Sequence, residues 1–349
     1  MKNFLPFLAL AAAWQPAQAQ PTRARLPAPA PTYRVRHTAK IGGEGGWDYL
    51  SPDPAGQRLY VAHRTQVEVL DLTTLAKTGT LPNTPGVHGI LVVPAAQRGF
   101  VSCGGNGTVL LFDPATGQAT GTVAVGKGPD AMCYDAFSAR VFVFNHGSGT
   151  ATALDAASGE VAGTVEIGGA LEEGATDDAG TIFVNVEDKN EIVAFDAKTL
   201  AVRHRWPLAP GTEPTGLAYE TATHRLYAAC GNKLLVVLDA RTGKILGTAP
   251  TGAGTDGLAL DPARHLAFTP NGEDGTLTVV RTDAANGRFP VVQTVATAPG
   301  ARTIALDPAT HRLYLPTADY GPAPAPTTAV PHPRRSVLPG TFRVLEVRE

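Results

Sequence analysis

One short pattern returns seven times along the chain: Arg58-Leu-Tyr-Val, Arg98-Gly-Phe-Val, Arg140-Val-Phe-Val, Thr181-Ile-Phe-Val, Arg225-Leu-Tyr-Ala, His265-Leu-Ala-Phe and Arg312-Leu-Tyr-Leu. The intervals are 40, 42, 41, 44, 40 and 47 residues. A second marker keeps the same period, because Asp71, Asp113, Asp155, Asp196 and Asp239 each close an apolar run, 42, 42, 41 and 43 residues apart. Two independent markers in phase describe a structural unit that cannot bury its own apolar faces and must stack on copies of itself.

Each unit reads as four short strands. In the second, Gly89-Ile-Leu-Val-Val, Gly99-Phe-Val-Ser-Cys, Thr108-Val-Leu-Leu-Phe and Gly121-Thr-Val-Ala-Val are separated by Pro94-Ala-Ala-Gln, Gly104-Gly-Asn-Gly and Asp113-Pro-Ala-Thr-Gly. β-Branched and aromatic runs bounded by Gly, Pro, Asn and Asp are strands and turns, and none has the length or period of a helix. Four antiparallel strands about every 42 residues, seven times over, predict an all-β, seven-bladed β-propeller. The last repeat supplies only three strands, Thr303–Leu306, Arg312–Leu315 and Phe342–Val347. The stretch Tyr33 to Gly42 resembles a fourth strand and precedes the first blade. Pairing of this N-terminal strand with the C-terminal blade would close the ring and leave no open sheet edge. The propeller then spans 33–349, with a Pro-rich insertion at 321–339.

Composition agrees with this reading. Gly (38) and Pro (29) are abundant because some 28 short strands each need a turn, and only 17% of residues are charged, as expected for sheets packed face to face. A net charge of −2 argues against a polyanion binder driven by bulk charge.

Ahead of the repeats, Lys2, an apolar run from Phe4 to Trp14 and Ala17-Gln18-Ala19 have the grammar of a cleaved signal peptide over 1–19. The run is too short to span a bilayer, which takes about 20 residues. Residues 20–32 are a Pro/Ala-rich linker. The protein is therefore expected in the periplasm or outside the cell, as a monomer without a membrane span. Cys103, Cys133 and Cys230 allow at most one disulfide, a Cys103–Cys133 pair being one option, and no Cys-x-x-Cys spacing exists.

Leu59-Tyr-Val-Ala, Phe142-Val-Phe-Asn and Phe183-Val-Asn-Val look like degenerate YVTN motifs. With the Asp-Pro-Ala-Thr-Gly turns and Gly-Thr-Val outer strands, the chain resembles the YncE-like, YVTN-repeat propellers of exported bacterial proteins. The likeness covers about 33–349 and departs at Ala267-Phe-Thr-Pro and at the Pro-rich insertion. It implies architecture rather than activity, because propellers host many functions.

Strand alternation sorts the connections onto two faces. First-to-second and third-to-fourth turns are stereotyped; second-to-third connections and crossovers are varied and polar, and binding residues favour such loops. On that variable face, Asp48, His88, Asp130, Glu172, Thr215, Asp256 and Arg302 each stand just before an innermost strand and point toward the mouth of the central channel. Asn145, His146, Glu187, Asp188, Asn232, Asn271 and Asp319 form a concentric set. The expected ligand site is Trp47, Asp48, His88, Asp130, Glu172, Asp256 and Arg302, on a non-catalytic binding scaffold for a small molecule or protein partner, without a cofactor. The alternative is a Ca²⁺-assisted lactonase or hydrolase using Asp48, Asp130, Asn145, Glu172, Asp256 and Asn271. A third reading has these groups merely hydrating the mouth. Single-stranded nucleic acid is a minor possibility, resting on Trp47, Arg302, Arg334 and Arg335 and opposed by the acidic ring. His63, His88 and His146, from three successive blades, make a transition-metal site conceivable. No Walker, Gly-x-Ser-x-Gly or His-Glu-x-x-His motif is present, and no glycine-rich turn leads into a helix as a dinucleotide fingerprint requires.

Overall fold

In each repeat the second strand is the most apolar segment, and it is buried on both faces: Arg58–His63, Arg140–Asn145 and Arg225–Cys230 are shielded at every position after the first. Such strands lack the polar-apolar alternation of a half-solvated sheet because a neighbouring blade covers each side. The outer strands, such as Gln118–Ala124, are polar, rich in Gly and Thr, and largely exposed. A computed structural model, which describes residues 1, 32–283, 287–325 and 335–349, arranges these segments as seven four-stranded antiparallel sheets. The signal-peptide and linker assignments, 1–19 and 20–32, lie almost wholly outside the described residues, as does Arg334. Among the described residues there is no α-helix, only two single 3₁₀ turns at Pro94–Ala96 and Glu187–Lys189.

Blades 1 to 5 begin with inner strands Trp47–Asp53, Val87–Val93, Pro129–Asp135, Leu171–Thr176 and Pro214–Glu220; those of blades 6 and 7 are shorter, Ala259–Asp261 and Ala305–Asp307. Blade 7 is completed from both ends of the chain. Arg34–Lys40 pairs antiparallel with Arg343–Arg348, Arg34 opposite Arg348 and Lys40 opposite Arg343. Tyr33 anchors this strand to blade 6. It is fully buried, meets Phe268 edge-on at 5.1 Å, accepts a hydrogen bond from Arg264 at 3.0 Å, and exchanges two backbone bonds with the Gln293 amide at 2.8 Å each. Arg264 lies in the first-to-second turn of its blade and also reaches Glu349 at 3.6 Å. Residue 33 and the C-terminal residue therefore emerge side by side on the face of stereotyped turns.

The two sequence markers interlock there. The recurring Asp caps its own turn, as Asp155 does by accepting from Ala157 and Ser158 N–H. The recurring Arg donates to a carbonyl of that turn in the next blade: Arg58 to Ala115, Arg98 to Ala157, Arg140 to Ala197 and Lys198, Arg225 to Thr282, and Arg312 to Thr73 across the closure. Blades 4 and 6, with Thr181 and His265 in the slot, have no such arginine. The three cysteines are free thiols, so the Cys103–Cys133 option is not realised.

Candidate functional site

The inner strands of the first five blades share an irregularity where they enter the channel. Trp47 pairs with His63 but Leu50 with Val61, so one extra residue is accommodated between them; the same slip occurs at Val87/Ile90, Pro129/Met132, Leu171/Gly174 and Pro214/Leu217. A β-bulge turns successive side chains out of strict alternation. Here it falls on Asp48, His88, Asp130, Glu172 and Thr215.

The structure brings most of the expected ring residues together. His88 Nδ1 lies 2.6 Å from Asp48 and 3.6 Å from Asp130. Arg302 donates to Asp256 at 2.7 Å and to the Trp47 carbonyl at 2.8 Å, with Asp48 3.9 Å away. Its guanidinium also lies over the Trp47 ring, 5.8 Å from the centroid. His146, from the concentric set, joins the ring through Glu172 at 2.9 Å. Thr215 is buried and bonds the Thr255 carbonyl.

Charge is crowded in this ring. Burial raises the Asp130 carboxyl well above the usual range, and repulsion from Asp48 adds to this. Burial likewise raises Glu172 and Asp256, against the pull of His146 and Arg302 respectively. The His88 imidazole is disfavoured as a cation by burial, yet the Asp48 hydrogen bond and the Asp130 charge outweigh that and lift it to about 9. The Glu172 hydrogen bond lifts His146 to about 9. Glu173, which sequence reasoning passed over, lies beside them; burial raises it to about 8 although it accepts a bond from Leu217 N–H at 2.9 Å. The doubled Glu172-Glu173 at a bulge was its only signal.

Other expected residues are placed elsewhere. Asn145 and Asn271 are fully buried, their amides bonded to hydroxyls within their own blades, Thr150 and Thr152 for one, Thr276 and Thr278 for the other. His63 is buried against Glu68 at 3.0 Å and stacked on Phe342 at 4.1 Å, so it does not join His88 and His146. Asp188 and Asn232 hold crossovers, through Ala170 N–H and Thr212 N–H, and Asp319 pairs with Arg343 at 2.8 Å. Glu187 stands in a 3₁₀ turn, its carboxyl raised by burial.

Beside the ring, between blades 6, 7 and 1, opens a cleft of about 850 Å³ lined by Trp47, Asp256, Glu273, Arg302, Tyr320 and Arg335, among others. Its aromatic wall is built by the insertion, whose bases meet at the Tyr320–Val337 bridge and set Tyr320 5.9 Å from Trp47. Gly300 permits this contact: its φ is +83°, and a Cβ there would sit 2.5 Å from the Tyr320 hydroxyl.

Residues 105–319, more than half of the chain, match the PQQ_2 family model, described as outer membrane protein assembly factor BamB. The chain belongs to the BamB family. The BamB match runs from the second blade into the seventh, so it contains Asp130, Glu172, Asp256 and Arg302 but not Trp47, Asp48 or His88. No curated protein matches by sequence. Among solved structures, a chain in the crystal structure of a mitotic checkpoint complex is similar, with a TM-score of 0.71 at 15% identity over 88% of this chain and 96% of that one. At that identity the likeness speaks for the fold alone.

Proposed function

We propose that this BamB-family propeller is a non-catalytic binding scaffold that docks a small molecule or a segment of a protein partner at the channel mouth. The observation that carries this reading is the cleft. It lies at the strand ends and crossovers of blades 6, 7 and 1, and it presents an aromatic wall of Trp47 and Tyr320 beside Arg302, Asp256 and Arg335. A concave surface with few, well-anchored polar groups suits recognition and requires no reacting centre. The description of the family as an assembly factor favours a partner protein. Within this class we assign the chain to the YncE-like, YVTN-repeat kind on its degenerate motifs. We place it in the periplasm or outside the cell on the grammar of residues 1–19. No helix among the described residues is long and apolar enough to cross a membrane.

The test is a thermal-shift screen of metabolites and peptides against the wild type and the Arg302→Gln and Arg335→Ala variants. A ligand at about 100 times its Kd stabilises by about 2.7 kcal/mol, which in a ring of this size is a rise of about 4 °C. Hits should lose most of that rise in the variants. Equal shifts in all three proteins would move the docking site elsewhere. The Ca²⁺-assisted hydrolase remains the second reading on its carboxylates, although the Asn271 amide oxygen already accepts from Gly252 N–H and the Thr255 hydroxyl, and Asn145 is fully buried. Ca²⁺-dependent turnover of lactones or esters would replace the scaffold reading with it.

A further inference from the structure

The arc of the ring contributed by blades 1 to 4 has a chemistry that the cleft does not use. Asp48, His88 and Asp130 each offer one ligand atom, all within 4.8 Å of one another, and so do Asp130, His146 and Glu172. Asp130 is common to both triads. The residues come from four blades, and four of the five sit at the bulged start of an inner strand, so the framework sets their spacing rather than a flexible loop. A second observation singles out the shared residue: Asp130 Oδ1 is shielded from solvent and has no hydrogen-bond partner, the closest cationic atom being His88 Nδ1 at 3.6 Å. A buried carboxylate oxygen without a donor is costly unless it takes up a proton or meets a cation.

We infer that this arc binds Zn²⁺ at Asp130, with Asp48 and His88 completing the ligand set on one side and His146 and Glu172 on the other. The donor set decides the metal. Each triad supplies one imidazole nitrogen and two carboxylates, which suits zinc and its first-row neighbours, whereas Ca²⁺ takes six to eight oxygens. Three protein ligands leave a fourth coordination position, which an incoming anionic group could complete. None of the five ligand residues lines the cleft, although its Arg302 lies 3.9 Å from Asp48; metal binding and docking are read by separate assays, so either reading can fail alone.

The full chain, stripped with EDTA and desalted, is titrated with ZnCl₂ by calorimetry, and with CoCl₂ to read visible absorption. The expected result is saturable binding of one or two ions per chain and Co²⁺ bands of a mixed nitrogen and oxygen site. Asp130→Asn should weaken binding at least about 10-fold, as should the His88→Ala/His146→Ala double variant, these being losses of direct ligands. His37→Ala, on the exposed outer strand, should change nothing. Melting curves without metal confirm that each variant is folded; if Asp130→Asn does not fold, His88→Gln carries the same test. Absence of saturable Zn²⁺ binding, affinity indifferent to the ring variants, or binding of Ca²⁺ in preference to Zn²⁺ would overturn the inference.

Discussion

Closure of the ring rests on Tyr33, and the consequence of removing that side chain can be worked out from its surroundings. Tyr33→Ala deletes a fully buried aromatic ring that meets Phe268 edge-on and accepts from Arg264, while leaving the two backbone bonds to Gln293 free to persist. Truncation of a buried aromatic to alanine costs about 3–5 kcal/mol. Unfolding entropy of about 2.1 cal/mol/K per residue, over roughly 300 residues, gives about 0.65 kcal/mol/K. The melting temperature should therefore fall by about 5–8 °C. Tyr33→Phe keeps the packing and loses only the Arg264 bond, about 1 kcal/mol, for a fall of about 1–2 °C. Scanning calorimetry reads both, and should show one transition at a lower temperature, because the closing strand is part of the same cooperative ring. A Tyr33→Ala protein melting within 1 °C of wild type, or a minor early transition ahead of an unshifted main one, would refute closure as a global constraint. Deleting 33–41 should abolish the folded ring outright.

Two further outcomes follow from buried charge and from the interblade arginines. Burial works against the charge of Glu68, but hydrogen bonds from His63, Lys77 and Gln66 prevail and hold it at about 2. A carboxyl depressed on folding contributes stability above its unfolded value near 4.5, and that stability is lost as pH falls toward 2. The melting-temperature gap between wild type and Glu68→Gln should thus be widest near neutrality and shrink between pH 4.5 and 2.5; a gap that stays constant contradicts the assignment. Arg140→Ala removes two bonds to the next blade, at 2.8 and 2.9 Å, from a half-buried guanidinium. The loss should be about 1–2 kcal/mol, read as a shift in the urea midpoint at unchanged slope; an unshifted midpoint would mean that the bond merely decorates the surface.

The architecture was legible because its cause is periodic. Arg-Leu-Tyr-Val marks a strand covered on both sides, and the spacing of Asp71, Asp113 and Asp155 marks a turn that each blade rebuilds. What the periodic reading missed was the purpose of the arginine, which acts on the following blade and so is invisible within one repeat. The candidate ring was legible for the same reason, since Asp48, His88, Asp130 and Glu172 occupy one recurring position. Glu173 was not, because a bulge breaks the two-residue alternation that would have turned it away. Asn145, Asn271 and His63 end their second strands close to the polar face, yet each finds partners inside its own blade: threonine hydroxyls for the asparagines, Glu68 for the histidine. Residue type and face alone do not reveal that competition.

The pairing of Arg34 with Arg348 has a practical side. Both strand ends open on the face of stereotyped turns, away from the ring and the cleft. A purification handle, a fluorophore or a sensor surface joined ahead of Tyr33 or at Glu349 would hold the molecule by its back and leave the mouth turned outward. Joining the two ends by a short bridge and opening the chain in another turn of that back face, such as Asp155-Ala-Ala-Ser-Gly, would relocate the seam of the ring without touching a residue of the mouth.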